Sequence, residues 1–560
     1  MLQPVVRTVT LCLALSLPIA SAHALQGGPP PGPPPPLQPP PAPAGNPVTT
    51  AKANLGKTLF WDEQMSATRT VACGTCHVPG AGSSDPRSVI GAARATHPGA
   101  DGLFGTPDDL TGSPGVPSND ASSFYLSDAV FGLREQVTTR KAPSAVNAAY
   151  APSLFWDGRA DGELIDPLSG AVVLAAGAAL ENQVLGPPVS SVEMAHVGAD
   201  WNDVVARMTT ASPLELSPSV PAALQAWIAG RSYPQLFAEA FGTPTVDAVR
   251  IAMAIATYER TLFSDQTPFD AALAGVAPLQ PLEAQGRQLF NQLNCGTCHR
   301  GNRLTDDQFH NIGLRPSNQD LGRFSVTGAP PDRGAFRTPS LRNVDLRGPY
   351  MHTGQFDTLQ EVIDFYDRGG DFNPPNKSPL IQPLGLSAQQ KAALLAFVQR
   401  PLTDPRVENE LPPFDRPLLF GESNLAPVTI GAPTPGNGGA LPRAIAFEPA
   451  WIDNPSLTIG MENGLGGAPT FLMVDIAPSP AGTPFLGLTS HLALSPALVI
   501  APTGTLSGIG PGNGFTSLSI PLALDTAFIG LDVFAQWLVQ DPGPPAGPFA
   551  ATEAVRLRLF

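Results

Sequence analysis

Two kinds of hydrophobic spacing divide the chain. Up to about residue 410, apolar side chains recur at helical intervals, as in DAVRIAMAIATYERTLF, where Ile251, Ile255 and Tyr258 share one face. After about residue 420, short stretches such as TSLSIPLAL and VRLRLF alternate apolar and polar positions between Gly/Pro turns. The pattern predicts a helical part followed by an antiparallel β-sandwich over 420–560.

Capping residues mark two helices near the end of the helical part. Thr358 and Glu361 form a capping box in front of LQEVIDFY, which places Tyr366 on the apolar face of that predicted helix. Ser387 is the predicted N-cap of a helix that runs through KAALLAFVQ.

The first 48 residues differ from both patterns. Arg7, the apolar run VTLCLALSLPIA and a small-residue ending predict a secretory signal at 1–24, cleaved after Ala24, whose apolar part is too short to span a membrane. Residues 25–48 are rich in proline and predict a polyproline II linker. We therefore expect an exported protein, either periplasmic or secreted.

The amino-acid composition limits the classes of molecule that the protein is expected to bind. The formal net charge is -15, with 47 acidic and 32 basic residues, which argues against nucleic acid or an anionic membrane surface and favours a basic soluble partner. The 65 prolines and 55 glycines predict long irregular connections between the helices.

The pentapeptide CGTCH occurs twice, at 73–77 and at 295–299. A C-x-x-C-H run attaches c-type haem, because both thiols add to vinyl groups and the adjoining histidine lies under the iron. A zinc site or a redox CxxC are the alternatives, but neither requires a histidine after both pairs. The sequence predicts two covalently bound haem c groups, attached through Cys73, Cys76, His77, Cys295, Cys298 and His299.

The ligand opposite each proximal histidine decides whether the iron carries electrons or binds a substrate. Spacing alone does not assign the other histidines of the helical part, which are His97, His196, His310 and His352.

Several separate motifs resemble, in family order, those of the bacterial diheme cytochrome c peroxidase and MauG superfamily over about residues 51–405. They are LGKTLFWDEQMS, the first CGTCH, RKAPSAVNAAY, LFWDGRA, a segment ending in VEM, FNQLNCGTCHRG, FHNIG, FRTPSLRNV, GPYMHTGQF and LQEVIDFYDRGG. The resemblance implies a mainly α protein in which two cytochrome c-type haem domains pack together. The peroxide-reacting domain would be 49–275 and the electron-supplying domain 276–415, followed by the β-sandwich of unknown role.

The resemblance also implies roles around the first haem. Gln183 and Glu193 would line the open side opposite His77, where splitting an O–O bond needs an acid/base and a neutral amide that orients peroxide. Trp156 would lie between the haems and relay electrons. About 17 residues between Trp156 and Gln183 have no counterpart in the family pattern.

In some family members a second histidine blocks the first haem, about 16 residues after the proximal one. That place falls near 91–95, which contains no histidine. We expect an open first haem; the alternative is that His97 reaches the iron.

For the second haem, the resemblance implies Tyr366 as the ligand opposite His299, as in the MauG type, where related peroxidases place Met. Tyrosinate stabilises ferric iron and lowers the potential, whereas a thioether does the reverse. Met351 is the alternative ligand, and His352 is expected to donate or accept hydrogen bonds in the pocket.

Calcium is considered at two places. The inter-haem calcium of the family would use an Asn position that is Lys141 here, with the carbonyls of Arg347 and Pro349; a lysine ammonium cannot ligate a cation, so we do not expect this site to be kept. A second candidate is the acidic loop GADGLFGTPDDLTG, either a Ca²⁺ site or a plain turn, with oxygens from Asp101, Asp108 and Asp109.

The sequence thus predicts an exported diheme c-type peroxidase that reduces hydrogen peroxide with electrons from a small soluble protein, a cytochrome c or a cupredoxin. One alternative, suggested by Tyr366, is MauG-like oxidation of a protein or an organic substrate. The other is a non-catalytic electron carrier, in which Glu193 and Gln183 would have no role. Homodimer formation stays open.

Overall fold

The computed structural model describes residues 37–523, 525–543 and 547–560. The predicted signal at 1–24 and the first part of the predicted linker lie outside these residues. The described part of the linker, 37–48, packs against the folded chain: Asn46 is fully buried, and Pro41 accepts a hydrogen bond from Arg260 at 3.2 Å. Of the predicted linker 25–48, the described part therefore lies against the folded chain.

The helices lie almost entirely between residues 50 and 408. Those of six residues or more are Thr50–Trp61, Ala179–Val184, Trp201–Thr210, Ala222–Ile228, Tyr233–Phe241, Ala248–Glu259, Pro268–Leu273, Pro281–Gln292, Leu359–Asp367 and Ala388–Val398. Single helical turns are Cys73–Cys76, Cys295–Cys298, Phe324–Thr327 and Pro405–Glu408. Both CGTCH motifs therefore begin as one helical turn, with the histidine just after it.

The same helix pair occurs in each half of this region. Thr50–Trp61 packs on Ala248–Glu259, and a Cβ on Gly56 would lie 1.9 Å from the Ala254 carbonyl oxygen. In the second half, Pro281–Gln292 packs on Ala388–Val398. There a Cβ on Gly286 would likewise lie 1.9 Å from the Ala393 carbonyl oxygen. Glycine at each crossing lets the two helix backbones approach closely. In both halves the first helix of the pair precedes the CGTCH motif in the chain.

Strands in the helical region are short. They pair antiparallel as Thr96–His97 with Leu110–Thr111, Pro114–Pro117 with Glu135–Val137, Leu164–Ile165 with Val172–Leu174, and Phe309–His310 with Phe336–Arg337. The third pair belongs to the inserted residues between Trp156 and Gln183. It packs through Leu164 and Leu174 against Met253.

The C-terminal region is built from antiparallel sheets. One has the order Arg443–Ala446, Leu457–Gly466, Gly510–Ile520. A larger sheet has the order Val499–Thr505, Pro469–Asp475, Asp532–Gln540, Ala554–Arg558, Val428–Ile430, with Phe549–Ala551 also on Asp532–Gln540. A separate hairpin joins Pro478–Phe485 to Leu488–Leu492.

The two larger sheets share one buried cluster, in which Met461 of the first sheet lies with Trp537 and Leu557 of the second. This is the packing that the predicted sandwich requires. Helices account for 27% and strands for 21% of the described residues, so the predicted fold class of mainly α is not confirmed, and the described part is mixed. Among the described residues, none of the helices has the length and apolarity needed to cross a membrane.

A buried ion pair holds the linker-side packing. The two carboxylate oxygens of Glu181 accept from Arg260 at 2.8 and 2.9 Å, and the side chains are 0% and 2% exposed. Glu181→Ala would leave an uncompensated buried guanidinium, so we expect the free energy of unfolding to fall by about 3–5 kcal/mol. Urea unfolding measures it.

Glu239→Ala is the matched control, because Glu239 pairs with Arg231 at the surface. Its expected cost is about 0.2–1 kcal/mol. Equal losses for the two variants would contradict the buried pair's structural role.

Candidate active site

The first CGTCH motif opens onto a cavity of about 390 Å³, lined by Cys73, Cys76 and His77. The Nδ1 atom of His77 lies 3.2 Å from the Ser83 carbonyl oxygen, a geometry in which Nδ1 carries the proton and Nε2 is free for a metal. Burial lowers the pKa of His77, so the ring is neutral at physiological pH.

The second motif repeats this arrangement around a cavity of about 300 Å³, lined by Cys295, Cys298 and His299. The Nδ1 atom of His299 lies 3.1 Å from the Leu304 carbonyl oxygen, and burial lowers the pKa of His299 to about 4. Both histidines are thus oriented and neutral, as proximal haem ligands must be.

The second cavity has buried hydrogen-bond donors that a haem would need for its propionates. Arg337 and Arg347 line it, and the Nε–H group of each is buried without a protein partner among the described residues. A haem carries two propionates, which are the planar anions that a guanidinium binds best. The residues present therefore fit the group, and these two arginines would hold its carboxylates.

The residues predicted for the open side of the first haem lie on the same cavity as His77. Gln183 comes from the helix Ala179–Val184, and Glu193 follows a short 3-10 turn at Pro187–Val189. Burial raises the pKa of Glu193; Arg159 and a hydrogen bond from Ser190 oppose that shift. The structure thus places a half-buried carboxyl and an amide on the same cavity, and their catalytic roles remain a prediction.

The candidate ligands of the second haem also share one cavity. Tyr366, Met351 and His352 all line it together with His299. Within the described residues, the Tyr366 hydroxyl has no protein hydrogen-bond partner, and burial raises its pKa well above the usual value. A phenol that faces the cavity without a protein partner is suited to a metal, which would also lower its pKa.

His352, unlike Tyr366, contacts other side chains of the cavity wall through its ring. Its ring stacks on Phe336 with centroids 3.6 Å apart, and its Nε2 atom lies 3.8 Å from Asp320. Burial lowers the pKa of His352 to about 3, so it is neutral.

Comparisons with known proteins now bear on this geometry. A family model for di-haem cytochrome c peroxidase matches residues 50–277, and a model for cytochrome c matches 283–400. The methylamine utilization protein MauG of Methylorubrum extorquens is 32% identical over 370 residues, which are 65% of this chain and 81% of that protein. The chain belongs to the di-haem cytochrome c peroxidase family.

Other relatives agree with this assignment. A cytochrome-c peroxidase of Denitromonas iodatirespirans is 30% identical over 440 residues, 72% of this chain and 96% of that protein. The cytochrome c551 peroxidase of Pseudomonas aeruginosa is 27% identical over 365 residues, 63% and 82% of the respective chains. As a member of the di-haem peroxidase family, this protein is an oxidoreductase with two haem c groups. Both model matches end before residue 420, so the C-terminal sheets lie outside them.

Trp156 lies where the two cavities of this di-haem protein meet, because it lines both. Its indole N–H donates to the Lys141 carbonyl oxygen at 2.8 Å, which fixes the ring orientation. The position suits the predicted electron relay.

Lys141 also lines both cavities, and its ammonium donates to the Arg347 carbonyl oxygen. Burial lowers the pKa of Lys141 to about 7. One of the two carbonyls expected for the inter-haem calcium thus receives a lysine hydrogen bond.

The acidic loop uses its carboxylates within its own turns. Asp108 accepts from the backbone N–H groups of Ala100 and Asp101, and Asp109 accepts from Gly105. Asp101 caps Leu103 in the same way. These bonds account for the acidic residues as turn formers, and calcium binding here stays a prediction.

The other histidines are also located. His97 lines the first cavity, and His310 lines the second, with its Nε2 atom 2.9 Å from Asp306. Cys298, Asp306 and His310 lie close enough to share a metal ion, but the Cys298 sulfur is the atom predicted to attach the second haem. His196 pairs with Asp203 and lines neither haem cavity.

Sequence reasoning missed Arg159, which lines the first cavity beside Glu193. Its guanidinium lies 3.5 Å from the Phe155 ring centroid and donates to Asp157 at 3.1 Å. The signal was present in the motif LFWDGRA, where Arg159 follows Trp156 by three residues.

A pH profile tests the Arg159 to Glu193 interaction. In Arg159→Gln the lost cation no longer stabilises the Glu193 carboxylate, so its pKa rises and the acid limb of the peroxide-consumption profile moves to higher pH. We expect a small shift, because Arg159 is half exposed and solvent screens its charge. Arg159→Lys keeps the charge and is the control; an acid limb that stays in place in Arg159→Gln would contradict the interaction.

Proposed function

We propose that this protein is an exported diheme c-type peroxidase that reduces hydrogen peroxide to water. Electrons would enter at the haem held by His299 and pass by Trp156 to the haem held by His77. The observation that carries the proposal is the presence of Gln183 and Glu193 on the same cavity as His77. A simple electron carrier has no need of a carboxyl and an amide there.

The side chains divide the proton chemistry. Glu193 takes a proton from one oxygen of hydrogen peroxide and returns it to the other as that oxygen leaves. The Gln183 amide orients the substrate, and the Arg159 guanidinium stabilises negative charge on the departing oxygen. The first haem, when bound, supplies the iron at which the O–O bond is cleaved. Two electrons and two protons then convert one peroxide into two waters.

The protein's own charge supports a basic electron donor. With a formal net charge of -15, the surface attracts positively charged soluble proteins and speeds their encounter. A small cytochrome c or a cupredoxin fits this requirement. Export rests on the signal predicted at 1–24, which lies outside the described residues.

A second candidate function is oxidation of a protein or organic substrate in the manner of MauG. The specific observation that favours it is Tyr366, which lines the second cavity and whose hydroxyl has no protein hydrogen-bond partner among the described residues. A tyrosinate ligand would lower the potential of that haem and favour its oxidised states.

Replacing the carboxyl tests the peroxidase proposal. Glu193→Gln keeps the shape of the side chain and removes its acid/base function, so we expect peroxide consumption to slow by at least about 10²-fold. Steady-state peroxide consumption with a reduced soluble donor measures it.

Glu163→Gln is the control, because Glu163 is partly exposed in the inserted segment. An unchanged rate in Glu193→Gln would remove that residue from the mechanism.

Potentiometry with spectra tests the second ligand. Tyr366→Met exchanges an anionic donor for a thioether, so the midpoint potential of the second haem should rise. Tyr366→Phe should change its absorption spectrum, and Met351→Leu should not. The reverse pattern would show that Met351 is the ligand.

A further inference from the structure

The C-terminal region contacts the first haem region at several places, for example through Arg69 and Ser456. Another of these contacts is the loop 119–135, which we name the wall loop. Tyr125 and Leu133 of this loop are buried in one cluster with Ile445, against Phe447 and Phe515 of the sheets. Apolar burial of this kind fixes a loop onto a neighbouring domain.

Hydrogen bonds hold the first part of the wall loop in register. The Tyr125 hydroxyl donates to Glu448 at 3.1 Å, and the Ser517 hydroxyl donates to the Tyr125 carbonyl oxygen at 3.2 Å. The Thr458 hydroxyl donates to the Ser123 carbonyl oxygen at 2.7 Å. Three different segments of the C-terminal region therefore bind the same short stretch.

Glu462 holds the second part. Its Oε2 atom accepts the Leu133 backbone N–H at 3.1 Å, and its side chain is largely buried. Gly132 has φ +62, and a Cβ there would lie 2.6 Å from the same oxygen, so the carboxylate sits directly against the turn. Asp128 closes this turn from inside the loop by accepting the Phe131 N–H at 2.9 Å.

The turn fixed by Glu462 carries Phe131 into the wall of the first haem cavity. Phe131 is only 8% exposed and lines that cavity together with His97. The two rings meet edge to face with centroids 5.8 Å apart, and Phe104 packs on the outer side of Phe131 at 6.3 Å. His97 is held further by the Gly99 N–H, which donates to its Nδ1 atom at 3.2 Å.

We propose that the C-terminal sheets are a positioning part of the first haem site. Through Glu462 and Tyr125 they fix the wall loop, so that Phe131 and His97 form a side wall that restricts how small ligands reach the open face of the first haem. The proposal rests on the proposed function in one respect, the open face opposite His77.

Anchoring or stabilisation alone would not require these contacts with the wall loop. A domain that only anchors the protein needs no contact with the active-site wall, and a domain that only stabilises it needs no bond to the turn bearing Phe131. The Leu133 N–H, two residues from Phe131, donates a charge-assisted hydrogen bond to the Glu462 carboxylate, and this bond acts directly on the position of the Phe131 ring.

The test uses the full-length protein with both haems and cyanide as the probe. Stopped-flow absorption of the oxidised protein gives the association rate constant of cyanide at the first haem. The absorption of the second haem in the same sample serves as the internal reference. In Glu462→Ala the wall loop should be open in a larger fraction of molecules, so cyanide should associate faster. We expect about a tenfold increase, because loss of one charge-assisted hydrogen bond raises the population of the open loop by about that factor.

Glu462→Gln is the conservative variant, because its amide oxygen still accepts the Leu133 N–H; its rate should stay within about threefold of the unmodified protein. Asp532→Asn is the control, since Asp532 pairs with Arg558 within the sheets and does not touch the wall loop. Its rate should be unchanged. Where Glu462→Ala fails to fold, Tyr125→Phe replaces it, because it removes only the hydroxyl donor.

Equal cyanide rates in Glu462→Ala and the unmodified protein would overturn the proposal. Absence of cyanide binding in the unmodified protein would instead contradict the open first haem. The Soret and EPR spectra of that haem would then decide: a change in Glu462→Ala that Asp532→Asn lacks supports the wall, and unchanged spectra overturn it.

Discussion

The structure depends on holding two imidazole rings neutral and fixed in orientation. In each haem motif a backbone carbonyl lies within hydrogen-bond distance of Nδ1, and burial lowers the histidine pKa. These two conditions leave Nε2 free for iron and prevent the ring from turning away. Each CGTCH turn would therefore hold a haem and occupy one face of its iron, and the remainder of the chain would determine the other face.

The opposite faces are where the two halves differ. The helix pairs behind the motifs are alike, down to a glycine against a backbone carbonyl at Gly56 and at Gly286. The first cavity has Gln183 and Glu193, whereas the second has Tyr366. Among the described residues, Trp156 is the aromatic side chain that lines both cavities.

Local signals in the sequence predicted much of this arrangement. The capping box at Thr358 is confirmed, since Thr358 Oγ1 accepts the Glu361 N–H at 3.2 Å and Glu361 accepts the Thr358 N–H at 2.8 Å. The helix that follows does place Tyr366 on the second cavity. Capping and helical periodicity act within a few residues, which is why a single sequence shows them.

The unpredicted parts depend on residues that are distant in the chain. Leu133 and Glu462 are 329 positions apart, so no local pattern links the wall loop to the sheets. The packing of Asn46 against Glu181 spans 135 positions and lies inside what composition alone marks as a linker. Arg159 was visible in its motif, but its proximity to Glu193 depends on how separate loops line the cavity.

The central claim is that the first haem has an open face opposite its histidine, whereas a side chain occupies the corresponding face of the second haem. The EPR spectrum of the oxidised protein tests it most directly. The account predicts one high-spin haem, the first, and one low-spin haem, the second. Two low-spin signals would contradict it, because the first haem would then have a strong ligand on both faces.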